Sequence, residues 1–122
     1  MNNNVSTVSL RYFNPVGAHT DNIVGETLNS EQNNIMPKIL RVANEEEPFI
    51  EIFGRDYDTL DGTCIRDYVH VNDIVKAHYL AMNKFNDQIL KDEFNIGLGL
   101  GFSVLEIIQA CDAVTQKKIE LK

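Results

Sequence analysis

Four short stretches of this chain hold side chains that could do chemistry on a ligand. Arg66, in GTCIRDYVHV (residues 62–71), stands among apolar and aromatic residues. A guanidinium so placed usually has a designated anion, because its planar fork matches a carboxylate or a phosphate. That anion is either Asp67 or another carboxylate, or a phosphate brought by a ligand. NNIMP (33–37) sets Asn33 and Asn34 just ahead of Ile35 and a helix start. Free N–H groups at such a start suit an anionic ligand, and plain N-capping would use the same two amides. RYFNPVGAH (11–19) closes a strand with Tyr12, Phe13, Asn14, Pro15 and Gly17. It puts flat rings and an amide at a strand's C-terminal end, where open α/β sheets bind ligands; an ordinary Pro-Gly turn is the competing reading. In EIFG (51–54), Phe53 could stack on a flat base while the backbone of Glu51 and Ile52 reads its edge, or it could be a core residue.

These residues need elements to position them. Residues 5–13 read as a strand, with Val8, Leu10 and Tyr12 alternating with Ser9 and Arg11. Pro15 is expected to end its ladder. Residues 16–34 are polar and aperiodic, a long loop of the kind that is usually functional or disordered. Met36, Ile39, Leu40 and Ala43 then give a helical stripe, with Pro37 in the first turn and NEEEP closing it. FIEIFG (49–54) reads as a strand, RDYDTLDGT as a turn-rich loop and CIRDYVHV as a short extended piece. Asn72 is the expected N-cap of a helix whose stripe is Ile74, Ala77, Ala81 and Met82. Residues 93–97 give another strand. Ser103 and Glu106 form an S-x-x-E capping box ahead of Val104, Ile107, Ile108 and Cys111. IEL (119–121) opens a last strand. Strands alternating with helices argue for an α/β architecture. A chain that opens and closes on such strands reads as a piece of a larger protein, the other possibility being a complete small α/β domain with frayed ends.

Composition bounds the chemistry. The 122 residues are 43% hydrophobic, enough for one modest core. A formal net charge of -7 argues against nucleic acid and anionic membrane as main partners. One local Arg and a few backbone amides can still hold a phosphate. Cys64 and Cys111 lie far apart and share no metal-ligand spacing with His19, His70 or His78, so a reduced, cytoplasmic chain without metal is expected. His78 shares a face with apolar residues and reads as a satisfied core histidine. No apolar run approaches a membrane span and MNNNVSTVSL is not a signal peptide. GLGLG (97–101) fails as a dinucleotide fingerprint because position 102 is Phe, and DYDTLDG fails as a calcium loop because Leu60 takes a ligand position.

Taken in order, RYFNPVGAH, NNIMP, EIFG, DGTCIRDYVHV and NIGLGLGFSVLEII resemble the UDP-glucose 4-epimerase family, within the extended short-chain dehydrogenase/reductase group. The likeness runs from about Leu10 to the end. It implies an α/β chain holding the later strands of a partial NAD(P)-binding Rossmann-type fold (about 5–19) and the smaller UDP-sugar-binding subdomain (about 20–122). Enzymes of that family interconvert UDP-glucose and UDP-galactose through a 4-keto sugar, with NAD taking and returning the C4 hydride. The resemblance places Tyr12 and Phe13 near the nicotinamide end of NAD and Asn14 on the UDP-sugar. It sets Asn33, Asn34 and Ile35 along the diphosphate and nucleoside, Glu51, Ile52 and Phe53 around the uracil, and Arg66 on the diphosphate. At Glu51 some family members have a small residue, so only its backbone carries over.

No Tyr-x-x-x-Lys and no G-x-G-x-x-G occurs in the sequence, so no catalytic residue of the family falls in it. The family's homodimer interface also resembles something built outside these residues. A non-catalytic UDP-sugar-binding remnant, another sugar-nucleotide epimerase or decarboxylase, and a chain without function are the rival readings. The resemblance predicts that the purified 122-residue chain does not convert UDP-galactose when NAD is added; a coupled assay showing turnover would refute it.

Overall fold

The run of β-branched and apolar residues before Pro15 becomes strand β1 (Thr7–Tyr12), and the chain resumes as β2 (Asn14–Val16) after a single residue. The computed structural model describes residues 5–21, 23–26, 34–84 and 91–122. They fall into two units, Met1–Gly25 with Asp67–Leu100, and Glu26–Arg66 with Gly101–Lys122.

In the first unit, β1 runs parallel to β5 (Lys91–Ile96), from Thr7 opposite Lys91 to Tyr12 opposite Ile96. β2 runs parallel to β4 (Tyr68–His70), with Pro15 opposite Val69. Pro15 therefore does not end all pairing, as its type suggested. Successive strand amides point to opposite sides. The Phe13 N–H bonds Ile96 O at 3.0 Å and the Asn14 N–H bonds Asp67 O at 3.0 Å. The proline's missing donor falls on the Phe13 side, so it ends the ladder with β5 and leaves the one with β4 intact.

Helix α2 (Val71–Met82) follows β4 directly. Its N-cap is His70, not Asn72: His70 Nδ1 accepts the Asn72 N–H at 3.1 Å. The ring nitrogen does what an Asn or Asp oxygen usually does, and the helix starts earlier than its apolar stripe. Ile74, Ala77 and Ala81 are half-buried as their spacing requires, but Met82 is exposed. His78 is likewise exposed rather than a core residue; its Nδ1 lies 2.8 Å from Ile74 O, and its ring lies 5.9 Å from that of Tyr12.

The second unit holds α1 (Ile35–Ala43), β3 (Ile65–Arg66), β6 (Phe102–Ser103) and α3 (Val104–Thr115). β3 and β6 are antiparallel, with Arg66 opposite Phe102. Ile39, Val42 and Ala43 of α1 meet Ile108 of α3 with Ile50 and Ile119 in one core. The segment expected as a strand at 49–54 makes a single parallel bridge, Ile50 to Leu121. Its backbone bonds, Ile50 N–H to Glu120 O (2.8 Å), Lys122 N–H to Ile50 O (2.9 Å) and Ile52 N–H to Lys122 O (3.0 Å), span too few residues for a ladder.

The turn-rich loop before β3 is fixed by polar bonds. Gly62 adopts φ 77°, and a Cβ there would sit 2.4 Å from Arg55 O, so only glycine fits. Asp61 Oδ1 accepts the Thr63 N–H (2.8 Å) and the Thr63 hydroxyl (2.7 Å), and Asp61 Oδ2 accepts the Ser103 hydroxyl. Ser103 also completes the capping box of α3: its Oγ accepts the Glu106 N–H at 3.1 Å, and Glu106 Oε2 accepts the Ser103 N–H at 2.7 Å. One buried serine thus joins loop and helix.

The Ser103 hydroxyl, with the Thr63 N–H and hydroxyl, holds the Asp61 carboxyl below its ordinary value. A depressed carboxylate contributes stability that is present above the ordinary value and lost as pH falls through the folded one. Ser103→Ala should lower stability by about 1 kcal/mol through the lost cap, read by urea denaturation at neutral pH. The gap between the two proteins should narrow below pH 3.8, where the wild type loses its charged acceptor. A gap that widens in acid would contradict this account.

Candidate functional site

In the first unit the chemistry gathers where the chain changes partner. Tyr12 and Phe13 are about half exposed, at the C-terminal end of β1. Asn14 is half-buried and held through its backbone by Asp67. Asp67 does more than that. Its Oδ1 accepts the Leu98 N–H at 2.9 Å and its Oδ2 accepts the Gly99 N–H at 2.8 Å. A side chain at Gly97 would force its neighbours aside: a Cβ would lie 2.5 Å from Phe13 Cδ2 and 2.6 Å from Asp67 Oδ2. The glycines after β5 therefore serve a carboxylate and an aromatic ring. In the sequence these glycines suggest only a failed dinucleotide fingerprint, which hides this use.

In the second unit Asn34 stands at the N-cap of α1 with extended backbone (φ -69°, ψ 145°), yet its side chain makes no capping bond. Its Nδ2 instead donates to Glu26 Oε1 at 3.4 Å. Plain N-capping is thus not what the amide does. Asn33 lies outside the described residues. Ile35 is half-buried and packs on the core, as does Ile52. Glu51 is exposed.

Phe53 is 73% exposed, which removes the core reading. Lys38 Nζ stands 5.5 Å from the centre of its ring, within the range of a cation–π contact. This contact brings the start of α1 beside residues 51–53. Sequence reasoning missed Lys38. A cation in the opening turns of a helix opposes the macrodipole, and that was the available signal.

Arg66 is exposed on β3, and its Nη1 donates to Ile65 O at 3.1 Å. Among the described residues of its unit no carboxylate pairs with it, and no hydrogen bond or ion pair links it to Asn34 or Phe53. Asp67, the neighbouring carboxylate, spends both oxygens on backbone amides. Burial, and then the charge of Asp112, push the Cys111 thiol up, away from a reactive thiolate. Among the described residues no group of three or more His, Cys, Asp or Glu could hold a metal ion.

The model of the NAD dependent epimerase/dehydratase family matches residues 1–97. The chain is 44% identical over 117 residues to the UDP-glucose 4-epimerases of Homo sapiens and Bos taurus, covering 96% of this chain and 34% of each relative. The solved UDP-glucose-4-epimerase of Stenotrophomonas maltophila, with bound NAD and formylated UDP-arabinopyranose, superposes with a TM-score of 0.93 at 43% identity, over 98% of this chain and 35% of that one. That of Bifidobacterium longum, in complex with NAD+ and UDP, gives 0.88 at 38%, over 96% and 35%. The chain thus has the α/β fold of a stretch of these enzymes and spans about a third of their length.

If Phe53 is a surface platform, Phe53→Ala should change stability by no more than about 0.5 kcal/mol, as surface substitutions do. Thermal denaturation reads this directly, and a loss of several kcal/mol would restore the core role.

Proposed function

This chain belongs to the NAD dependent epimerase/dehydratase family, and we propose that it provides the UDP grip of a UDP-glucose 4-epimerase. The observation that carries the reading is Arg66, exposed and without a carboxylate partner among the described residues of its unit, in a chain so similar to UDP-glucose 4-epimerases. An arginine with one fork nitrogen on a backbone carbonyl and no carboxylate partner keeps the rest of its guanidinium available to a diphosphate.

In this reading the second unit holds the nucleotide. Arg66 takes the diphosphate, and Asn34, Ile35 and the opening turn of α1 border diphosphate and nucleoside. The exposed ring of Phe53 stacks on uracil, with the backbone of Glu51 and Ile52 along its edge. Lys38 on the Phe53 ring adds positive charge where an anion arrives. Asn33 belongs to the same set by sequence. The first unit holds the reacting end: Asn14 meets the sugar, and Tyr12 and Phe13 face the nicotinamide of NAD.

The residues fit NAD at that one end, because two half-exposed rings at a strand's C-terminal end offer flat apolar surface. NAD when bound supplies the hydride acceptor. This chain's residues orient the sugar, shield the ring from water and leave proton removal to groups elsewhere in the enzyme, since the sequence has no Tyr-x-x-x-Lys.

Isothermal titration of UDP into the purified chain tests the reading. Binding is expected, and Arg66→Ala should weaken UDP at least tenfold. A charge-assisted hydrogen bond contributes roughly 1.5–3 kcal/mol. Uridine, which lacks the diphosphate, should be unaffected. Absence of UDP binding by the wild type, or equal losses for UDP and uridine, would sink the assignment.

A further inference from the structure

Among the described residues of the first unit, Asp67 bonds the Phe13–Asn14 corner through its backbone and, through its side chain, the turn that packs against that corner. Its carbonyl accepts the Asn14 N–H at 3.0 Å. Its two carboxylate oxygens accept the Leu98 and Gly99 amides at 2.9 and 2.8 Å. The Phe13 N–H in turn bonds Ile96 O at 3.0 Å, at the end of the strand that leads into those amides. The bonds close a ring from Phe13 through Ile96, Gly97 and Leu98 to Asp67 and back through Asn14. Gly97 lies inside it, and the space a Cβ would need is taken by the Phe13 ring and the Asp67 carboxylate. Little in this ring can shift alone. Moving the 97–99 turn moves the surface against which Phe13 rests.

We propose that Asp67 is a positioning residue: it clamps the 97–99 turn against the Phe13 ring and so fixes the Phe13–Asn14 pair that meets sugar and cofactor. The contact with ligand rests on the function proposed above; the clamp itself does not. Asp67 touches no reacting atom in this account. Its work is to keep a half-exposed ring and the neighbouring amide from rotating away. A carboxylate suits this because both oxygens accept. An Asn of the same size offers one acceptor and turns an NH2 group toward the other amide, leaving that amide unpaired.

The test uses the full chain with Asp67→Asn, followed by NMR and by titration. Exchange of the Leu98 or Gly99 amide should quicken by about tenfold or more, and the Phe13 ring signals should shift. Exchange at Glu106, in the α3 capping box, should stay as in the wild type. Affinity for UDP-glucose should fall several-fold while affinity for UDP holds, a split that general loosening would not produce. Gly97→Ala, which disturbs the same contacts from the other side, should give the same signature if Asp67→Asn does not fold. Unchanged Phe13 signals in the folded variants would overturn the proposal. So would a shifted ring with UDP-glucose and UDP affinities both intact. If the wild type binds no UDP, the proposed function fails, and the Phe13 signals still decide whether Asp67 is the clamp.

Discussion

A strand has two hydrogen-bonding sides, and between Phe13 and Pro15 this chain uses them for two different partners. The Phe13 amide is the last to reach β5 and the Asn14 amide the first to reach the segment that becomes β4. Pro15 enforces the change, because the next amide on the β5 side does not exist. Once the ladder to β5 stops, residues 97–99 are released from strand pairing and their amides need other acceptors. Asp67 provides them. The glycine turn and the Phe13–Asn14 corner thus meet where the chain changes partner.

The second unit solves a similar accounting problem with side chains. Among its described residues regular pairing is short: a two-residue antiparallel pair and one parallel bridge. Much of its loop backbone must therefore be satisfied otherwise. Asp61, Thr63 and Ser103 do this around the start of α3, with Thr63 and Ser103 almost fully buried. Arg41, also buried, is held by Glu47 at 2.5 Å at the end of α1. A buried guanidinium without such a partner would be costly. The apolar core from Ile39, Val42, Ile50, Ile108 and Ile119 supplies the bulk of the cohesion, and the polar bonds fix where the loops leave it.

What the sequence discloses here is what local chemistry decides. The S-x-x-E box announced α3, and both of its bonds are present. Pro37 and the spacing of Met36, Ile39, Leu40 and Ala43 announced α1, although Leu40 is exposed. The last strand of the first unit was legible in its core, though it starts two residues earlier, at Lys91. The failures share a cause. The His70 cap, the Lys38–Phe53 contact and the Asp67 clamp each depend on a neighbour that folding supplies, or on a residue type doing another's job. FIEIFG has strand composition, yet β-propensity describes fitness for a pleated surface and cannot supply a partner of matching length. Exposure was the least legible quantity: Phe53 and His78 looked equally at home in a core, and neither is there.

Charge sets the terms on which such a chain can hold an anion. With a formal net charge of -7, the molecule as a whole repels a diphosphate. At physiological ionic strength that repulsion is screened beyond roughly 8 Å, so the balance is decided within one or two residues of the bound group. In the second unit two cations bear on that balance. Arg66 is exposed and unmatched by the described carboxylates of its unit, and Lys38 leans on a ring. The opening of α1 adds amides that the Asn34 side chain does not cap. In the reading proposed above, an acidic chain of this kind disfavours polyanions, which need many contacts over a long track, and still admits a short anion joined to a planar base. In that reading the overall charge and the local groups favour the same kind of ligand through different ranges of the same force.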